Sequence, residues 1–480
     1  MVEILTAFYL HGSESPQAGL AKEILAAAGI ADPAAIFELM VAVGVWQENE
    51  NTDLLKYEVP IEFPQPAMGQ AAELVKRAMD GSLLQSTVAE RLDLRHLSLI
   101  TIDGQSTLDF DDALSIEKDG DGFRIGIHIV DVGHFVRRDT ALDREALSRG
   151  SSIYMPDCKI SMLPQSLAED FCSLKAGAIR PAISTMLQLS PMMDLISFEI
   201  IPTLVSVHRQ LSYFDVNLLV DEEPDFRLLR DAAARFHEFR MASGAVQISL
   251  PEIHVWIAET GEVSVNRVNR ESPGRMLVSE LMIFANWLAA RFLSERETPA
   301  IFRSQPKPRE RLYHGNEGNL YQHFMQRRLI SRFILGPKKA PHSGLGLDGY
   351  VTASSPIRKY SDLVTQRQLR AAIGLEPPYS EAEIEAVIRE LEQPMSQVSR
   401  IQQQRLRYWI LKHLEKRVGE KLEALVLVKR RKSYQVLLSD YMIECDLPLS
   451  AGLRLKPQDL IQVTLQRVNA RKDVVAVFAS

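Results

Sequence analysis

The sequence predicts a multidomain α+β protein, and three features carry that reading. An alanine-rich helical pair opens the chain; alternating strand-like runs begin near Leu92 and are followed by two long amphipathic helices; the segment after residue 417 returns to short strands separated by turns. At 480 residues the chain is too long for one ordinary core, so several domains are expected. We place the boundaries at 1–65 (a helical domain), 66–417 (a catalytic domain of mixed sheet and long helices) and 418–480 (a β-barrel).

Residues 16–43 read as two short helices, because Gly29 supplies a stop and Asp32-Pro33 an N-cap followed by a first-turn proline. The next stretch, VWQENENTDLLKYEV, is expected to form a hairpin around Asn49–Asn51, so that the whole fits a small winged helix-turn-helix unit. A helical docking module without nucleic-acid contact fits the same pattern. Pro60, Pro64 and Pro66 then mark a linker. Beyond Leu92, DALSIE and FRIGIHIVDV flank the turn KDGDG and predict a hairpin; DGDG lacks the downstream ligands of a calcium loop. Leu277–Leu293 has the period and length of a long helix. Another is opened by a Ser380/Glu383 capping box and is expected to kink or split at Pro394. The final short strands fit a five-stranded OB-type barrel.

Hydrophobic content of 46% and charged content of 24% exclude wholesale disorder, and a net charge of −7 excludes a uniformly basic nucleic-acid coat. The three cysteines, Cys158, Cys172 and Cys445, match neither a disulfide framework nor a zinc ribbon, which points to reduced thiols and a cytoplasmic location. The N-terminal stretch lacks a basic leader, and no apolar run is expected to reach the roughly 20 residues of a spanning helix, so no membrane association is expected.

The stretch TIDGQSTLDFDDALSI places Asp103, Asp109, Asp111 and Asp112 within ten residues with no lysine or arginine among them. Two carboxylates about 5 Å apart repel by about 3 kcal/mol at an effective dielectric near 20. Such a cluster persists only if its members stay solvated and splayed, become protonated, or bind a cation. The interleaved Leu108, Phe110, Ala113, Leu114 and Ile116 anchor this backbone in apolar structure, which a solvated loop would not need. Hard oxygen ligands with neutral fill suit Mg²⁺ and phosphoryl transfer.

A second stretch, HSGLGLDGYVTASSPIRKYSDLVTQRQL, contains Gly344-x-Gly346-x-x-Gly349, but no apolar strand precedes it and prolines intrude, so a dinucleotide site is not expected. Within it, Ser355-Pro356-Ile357-Arg358-Lys359-Tyr360 is a proline-set turn offering a planar fork and a point charge to phosphate, although an ordinary surface ion pair fits too.

Taken together with FRIGIHIVDVGHFV, LDREALSRGSSIYMPDCKISMLPQSLAEDFCSLKAG and LVSELMIFANWLAARFL, these stretches resemble the catalytic (RNB) domain of the ribonuclease II family over about residues 91–417. The resemblance implies a Mg²⁺-dependent exoribonuclease that hydrolyses single-stranded RNA from its 3′ end to 5′-nucleoside monophosphates. It implies that Asp103, Asp109, Asp111 and Asp112 are the acidic metal site, with Asp111 and Asp109 catalytic and Asp111 nearest the reactive metal or water. Arg358 would stand beside the scissile phosphate, and Tyr154 would stack near the RNA 3′ end. The rival reading is a catalytically silent RNA-binding regulator on the same fold. A monomer is expected.

His128 and His134 flank Asp131, but Mg²⁺ takes oxygen ligands and satisfied strand histidines are expected. Glu280 faces either the site or solvent. Basic residues from Arg400 to Lys432 form a stripe in which Arg405, Lys429 and Arg430, together with Lys359, are assigned to RNA binding; a solvated helix face is the alternative. Two departures from the family stand out. The first sixty-odd residues do not look like its cold-shock barrels, and Ala353-Ser354 replaces its usual aromatic-threonine before SPIR. The barrel's few aromatics, Tyr434, Tyr441 and Phe478, make a stacking role there doubtful.

Overall fold

A computed structural model describes all residues except 86–87, 316, 451–452 and 480. Helices Val2–His11, Ala18–Ala27 and Ala35–Ala42 pack around Leu5, Phe8, Leu25, Ile36, Met40 and Trp46. Gly29 takes φ +70° at the turn after the second helix, and the Asp32 carboxylate accepts from the Ala34 N–H at 2.9 Å ahead of the third. The expected wing is absent: residues 45–59 contain no strand. Instead Asn51 Oδ1 accepts from the Asp53 N–H at 3.3 Å and caps the short helix Thr52–Lys56. An asparagine that bonds its own backbone competes with strand pairing. Leu54 completes the outcome by packing with Ile153, Ile160, Val398 and Ile401.

The central sheet has the strand order Leu92–Asp93, Leu195–Ser212, Leu99–Asp103, Asp112–Asp119, Gly122–Val130, Ile179–Leu189. The 18-residue strand Leu195–Ser212 closes it: one part pairs antiparallel with Ile179–Leu189, and its last part runs parallel to Leu99–Asp103. The predicted hairpin across KDGDG is present, with Gly120 at φ +57°. Side chains alternate between two cores, as strand geometry requires. Leu99, Ala113 and Val130 join a cluster with helices Gln65–Met79, Ala141–Arg149 and Tyr360–Ala372, whereas Ile100, Leu114 and Ile129 face helices Pro224–Ala242 and Pro273–Glu295.

The helix expected over Leu277–Leu293 is present, and two expectations about the long helices are corrected: the lack of an apolar run of spanning length and a split at Pro394. Pro273–Glu295 is long and apolar enough to cross a membrane by composition, yet 67% of its most apolar window is buried inside the protein, as in a core helix. Glu381–Glu415 runs unbroken through Pro394, held on both sides of the proline by buried Leu391, Val398 and Ile401. Gly150, at φ +67°, sits against that proline: an added Cβ would lie 2.8 Å from Pro394 Cβ.

The five C-terminal strands, from Lys421–Lys429 to Val474–Ala479, close into a barrel as predicted. Ile410, Leu411 and Leu414 of the long helix enter the barrel's core, which also takes Ile253 from a hairpin formed by Glu252–Ile257 and Val263–Val268. All three cysteines are free thiols.

Helix Tyr360–Ala372, which follows the SPIR turn, is fixed by a buried ion pair. Arg367 Nη2 lies 2.7 Å from Asp143 Oδ1, with the two side chains 1% and 5% exposed. Arg367→Met should cost about 3–5 kcal/mol in urea unfolding, because it leaves the Asp143 charge buried without its cation; a change within error would show that the pair does not hold the helix.

Candidate active site

The acidic loop is pinned before it is charged. Ser173 Oγ accepts from the Phe110 N–H at 2.9 Å and donates to the Leu108 carbonyl at 3.3 Å, and the Leu174 N–H binds the Phe110 carbonyl at 3.0 Å. Phe110 packs against the main core, so Asp109 and Asp111, on either side of it, turn into the protein and are 8% and 3% exposed. Asp103 ends one strand and Asp112 begins the next.

Asp111 is held by the SPIR turn. Its Oδ1 accepts from the Ile357 N–H at 2.9 Å and its Oδ2 from Arg358 Nε at 3.0 Å. The turn itself is fixed by Asp362, which accepts from the Ser355 N–H at 3.1 Å. Ahead of it, Asn286 accepts from the Ala353 N–H at 2.9 Å and donates to Ser354 Oγ at 3.1 Å, which is how the Ala353-Ser354 departure is packed. The Arg358 carbonyl accepts from the Ser152 N–H at 2.9 Å and from Ser151 Oγ at 2.8 Å, tying the turn to the strand Ile153–Tyr154. Tyr154 donates to Asp109 Oδ2 at 2.7 Å, Lys159 Nζ lies 3.1 Å from Asp109 Oδ1, and the tyrosine ring stays 41% exposed.

The electrostatics divide the carboxylates. Burial, followed by repulsion from Asp111, pushes Asp103 up to about 7. Burial, then Asp103 and Asp111, raises Asp112 well above the carboxylate range. Asp111 rises to about 6, again through burial, with Arg358 and the Ile357 N–H opposing. Among the described residues, Asp103 Oδ2 is buried without a hydrogen-bond partner. A set of buried oxygens short of positive charge fits a hard divalent cation. Among the described residues no three His, Cys, Asp or Glu side chains are drawn to ligand spacing.

The structure therefore brings together Asp103, Asp109, Asp111, Asp112, Arg358 and Tyr154, residues far apart in sequence. Lys359 ends the turn as the N-cap of Tyr360–Ala372 and has no carboxylate partner among the described residues. Arg405 is corrected: it is buried, its guanidinium on Asp157 and on the Asn49 carbonyl at 2.6 Å, so it is not available to phosphate. Much of the basic stripe is likewise paired, Arg407 with Asp473, Lys412 with Glu48, Arg417 with Glu420 and Arg430 with Asp446. Lys429 is exposed, with Nζ 6.0 Å from the Tyr434 ring centre; Tyr434 and Tyr441 are buried. Glu280 is a core residue locked to Arg240 and, at 2.9 Å, to His237 Nδ1. His128 bonds Ser115 at 2.9 Å and Ser184 at 2.7 Å and is pushed down to about 3 by burial. Burial also pushes His134, on the turn Val132–Phe135, down to about 4. Sequence reasoning missed Lys159, although its pairing with Tyr154 in a short hairpin was a readable signal. It also missed Tyr213, which burial and then the charges of Asp103 and Asp112 push up to about 12.

A raised carboxyl binds its proton more tightly in the folded than in the unfolded chain. Its contribution to stability is present below the ordinary carboxylate range and is lost as pH rises through about 6 to 7 for Asp111 and Asp103. In EDTA, the thermal unfolding midpoint should fall as pH rises from about 4 to about 7, and Asp103→Asn should flatten that fall. An identical slope in the variant would contradict the assignment.

Comparison with known proteins agrees with this geometry. The RNB domain matches residues 91–374, and a double HTH domain matches residues 1–52. An uncharacterized ribonuclease of Synechocystis is 33% identical over 435 residues, covering 87% of this chain; the chain spans 64% of that relative's length. Among solved structures, an active-site mutant of the Dss1 exoribonuclease from Candida glabrata has a TM-score of 0.81 at 19% identity, covering 100% of this chain and 66% of its own. Mycoplasma genitalium RNase R, in complex with ribose-methylated single-stranded RNA, has a TM-score of 0.78 at 17% identity, covering 89% and 77%. At such identity the structures speak to fold. The RNB match covers more than half of the sequence and includes every residue of the aspartate centre, so the chain belongs to the RNB-domain ribonuclease family.

Proposed function

We propose that this protein is a Mg²⁺-dependent 3′ to 5′ exoribonuclease that hydrolyses single-stranded RNA to 5′-nucleoside monophosphates, acting as a cytoplasmic monomer. The observation that carries the reading is the pairing of Asp111 with Arg358 beside the unpartnered, buried Asp103 Oδ2. It sets a phosphate-matched guanidinium next to oxygens that lack a counter-charge.

Asp103, Asp109, Asp111 and Asp112 would hold the divalent ion, which when bound supplies water activation and neutralises charge on the leaving oxygen. Arg358 spends only its Nε on Asp111 and keeps its terminal N–H groups for a phosphate oxygen, where they stabilise charge that develops in the transition state. Tyr154 has its hydroxyl fixed by Asp109, so its open ring face is oriented to stack on a base of any identity. Lys159 neutralises Asp109 from the side away from Tyr154's hydroxyl, through the other carboxylate oxygen.

A 5′-labelled single-stranded oligoribonucleotide should be shortened stepwise in Mg²⁺ and left intact in EDTA. Asp111→Asn should abolish release, and Arg358→Ala should slow it by about 10²–10³-fold at unchanged folding. Binding without hydrolysis by the wild-type protein would instead identify a silent RNA-binding regulator.

A further inference from the structure

The glycine-rich stretch that serves no dinucleotide fold helps to line a cleft that shares no lining residue with the aspartate centre. Its glycines answer to packing: a Cβ on Gly344 would lie 2.1 Å from Gln305 Oε1, and one on Gly346, at φ +68°, 2.5 Å from the Arg240 carbonyl. The loop's amides are also used, with the N–H groups of Gly344, Gly346 and Leu347 bound to Gln305, Ser343 and His342. It offers no phosphate cradle of its own.

The cleft that Gly346 helps to line has a volume of about 750 Å³ and combines an aromatic wall with two cations. Phe239 and Trp287 lie with ring centres 5.5 Å apart, Phe239 is 45% exposed, and a stacked Phe236–Phe284 pair at 3.7 Å backs them through Phe284. Among the described residues, Lys307 has no carboxylate partner and Arg311 bonds only the Gly244 carbonyl, at 2.6 Å. The single acid of the lining, Asp348, is already neutralised by Lys339 at 2.5 Å and accepts from Trp287 Nε1 at 2.8 Å. The lining thus keeps two uncompensated positive charges beside a rigid aromatic face, and its size suits a nucleotide. Arg240 separates it from the aspartate centre: it bonds Glu280 and the Leu345 carbonyl, and on its other side lines a cavity with Tyr213.

We propose that this cleft is a second nucleotide-binding site, with the base against Phe239 and Trp287 and the phosphate against Lys307 and Arg311. A free nucleoside monophosphate and one nucleotide of an RNA strand share that chemistry. The choice of a ribonucleotide over other aromatic anions rests on the exoribonuclease reading; the pairing of ring and cation does not.

Trp287 reports on the site. In EDTA, 5′-AMP and a short oligouridylate are titrated while tryptophan emission is followed, with Trp287→Phe as the control that isolates the local signal. Phe239→Ala and Lys307→Glu should each weaken the Trp287-dependent response by about tenfold or more. A response to 5′-AMP supports the site with the monophosphate as source, and a response to the oligouridylate alone supports it with the strand as source. No Trp287-dependent response to either probe, or a response that both variants leave unchanged, overturns the site. The same preparations assayed for RNA hydrolysis in Mg²⁺ separate the two readings, since a wild-type protein that binds 5′-AMP here but cleaves no RNA would defeat only the exoribonuclease assignment.

Discussion

The structure around the site depends on how four neighbouring carboxylates are tolerated inside a protein, and they are tolerated in two different ways. Asp109 and Asp111 receive hydrogen bonds and a cation each, from Tyr154 and Lys159 in one case and from Ile357 and Arg358 in the other. Among the described residues Asp103 and Asp112 have no cation paired to them and are held high by burial and by their neighbours, with Arg358 opposing only in part. The neutralised pair works as a staple, since it joins the loop before the KDGDG hairpin to segments more than forty and more than two hundred residues away. The uncompensated pair is left for a charge that the protein does not supply.

The same rule extends outward from the site. Buried charges are expensive unless paired, so each buried arginine fixes the geometry of two elements at once. Asp131 takes both Arg91 and Arg370, and Arg367 takes Asp143. Arg370 and Arg367 set helix Tyr360–Ala372 against Asp131, at the end of strand Gly122–Val130, and against helix Ala141–Arg149, and the helix in turn sets the SPIR turn through Asp362. Arg358 is therefore positioned through buried ion pairs and the hydrogen bond from the Ser355 N–H to Asp362.

Features with strong periodicity were legible: the hairpin at KDGDG, the helix Pro273–Glu295 and the closed barrel follow from local pattern. The carboxylate run was readable as a cation site because dense negative charge in apolar surroundings needs neutralising, whereas its grouping with Arg358 followed from the family resemblance and not from the residues alone. Within the basic stripe, Arg405 was misjudged for the opposite reason. A list of cations along a helix does not show their partners, and Arg405 meets Asp157 across 248 residues. The missing wing reflects a local contest, in which the Asn51 side chain captured a backbone amide that strand pairing would have needed.

Charge also explains what the N-terminal helices do in this structure. Residues 1–65 contain ten carboxylates and two lysines, so the rest of the chain has a slight positive excess. A module that tracked phosphates would need the opposite sign. Its third helix, Ala35–Ala42, has no basic residue, and Phe37 is covered by Arg471 of the barrel at 3.8 Å. The loop that follows is gripped from the same side, with the Glu48 and Glu50 carbonyls on Arg471 at 3.0 and 2.9 Å, the Asn49 carbonyl on Arg405, and Asn49 Oδ1 on Tyr408 at 2.7 Å. Beyond the loop, Asn51 donates to Met155 Sδ at 3.3 Å and Leu54 packs with Ile153, the residues on either side of Tyr154. The acidic module is thus wedged between the barrel and the strand that aims the tyrosine. Its carboxylates take part in that docking, with Glu48 3.4 Å from Lys412 of the long helix and Asp32 3.2 Å from Lys472 of the barrel turn.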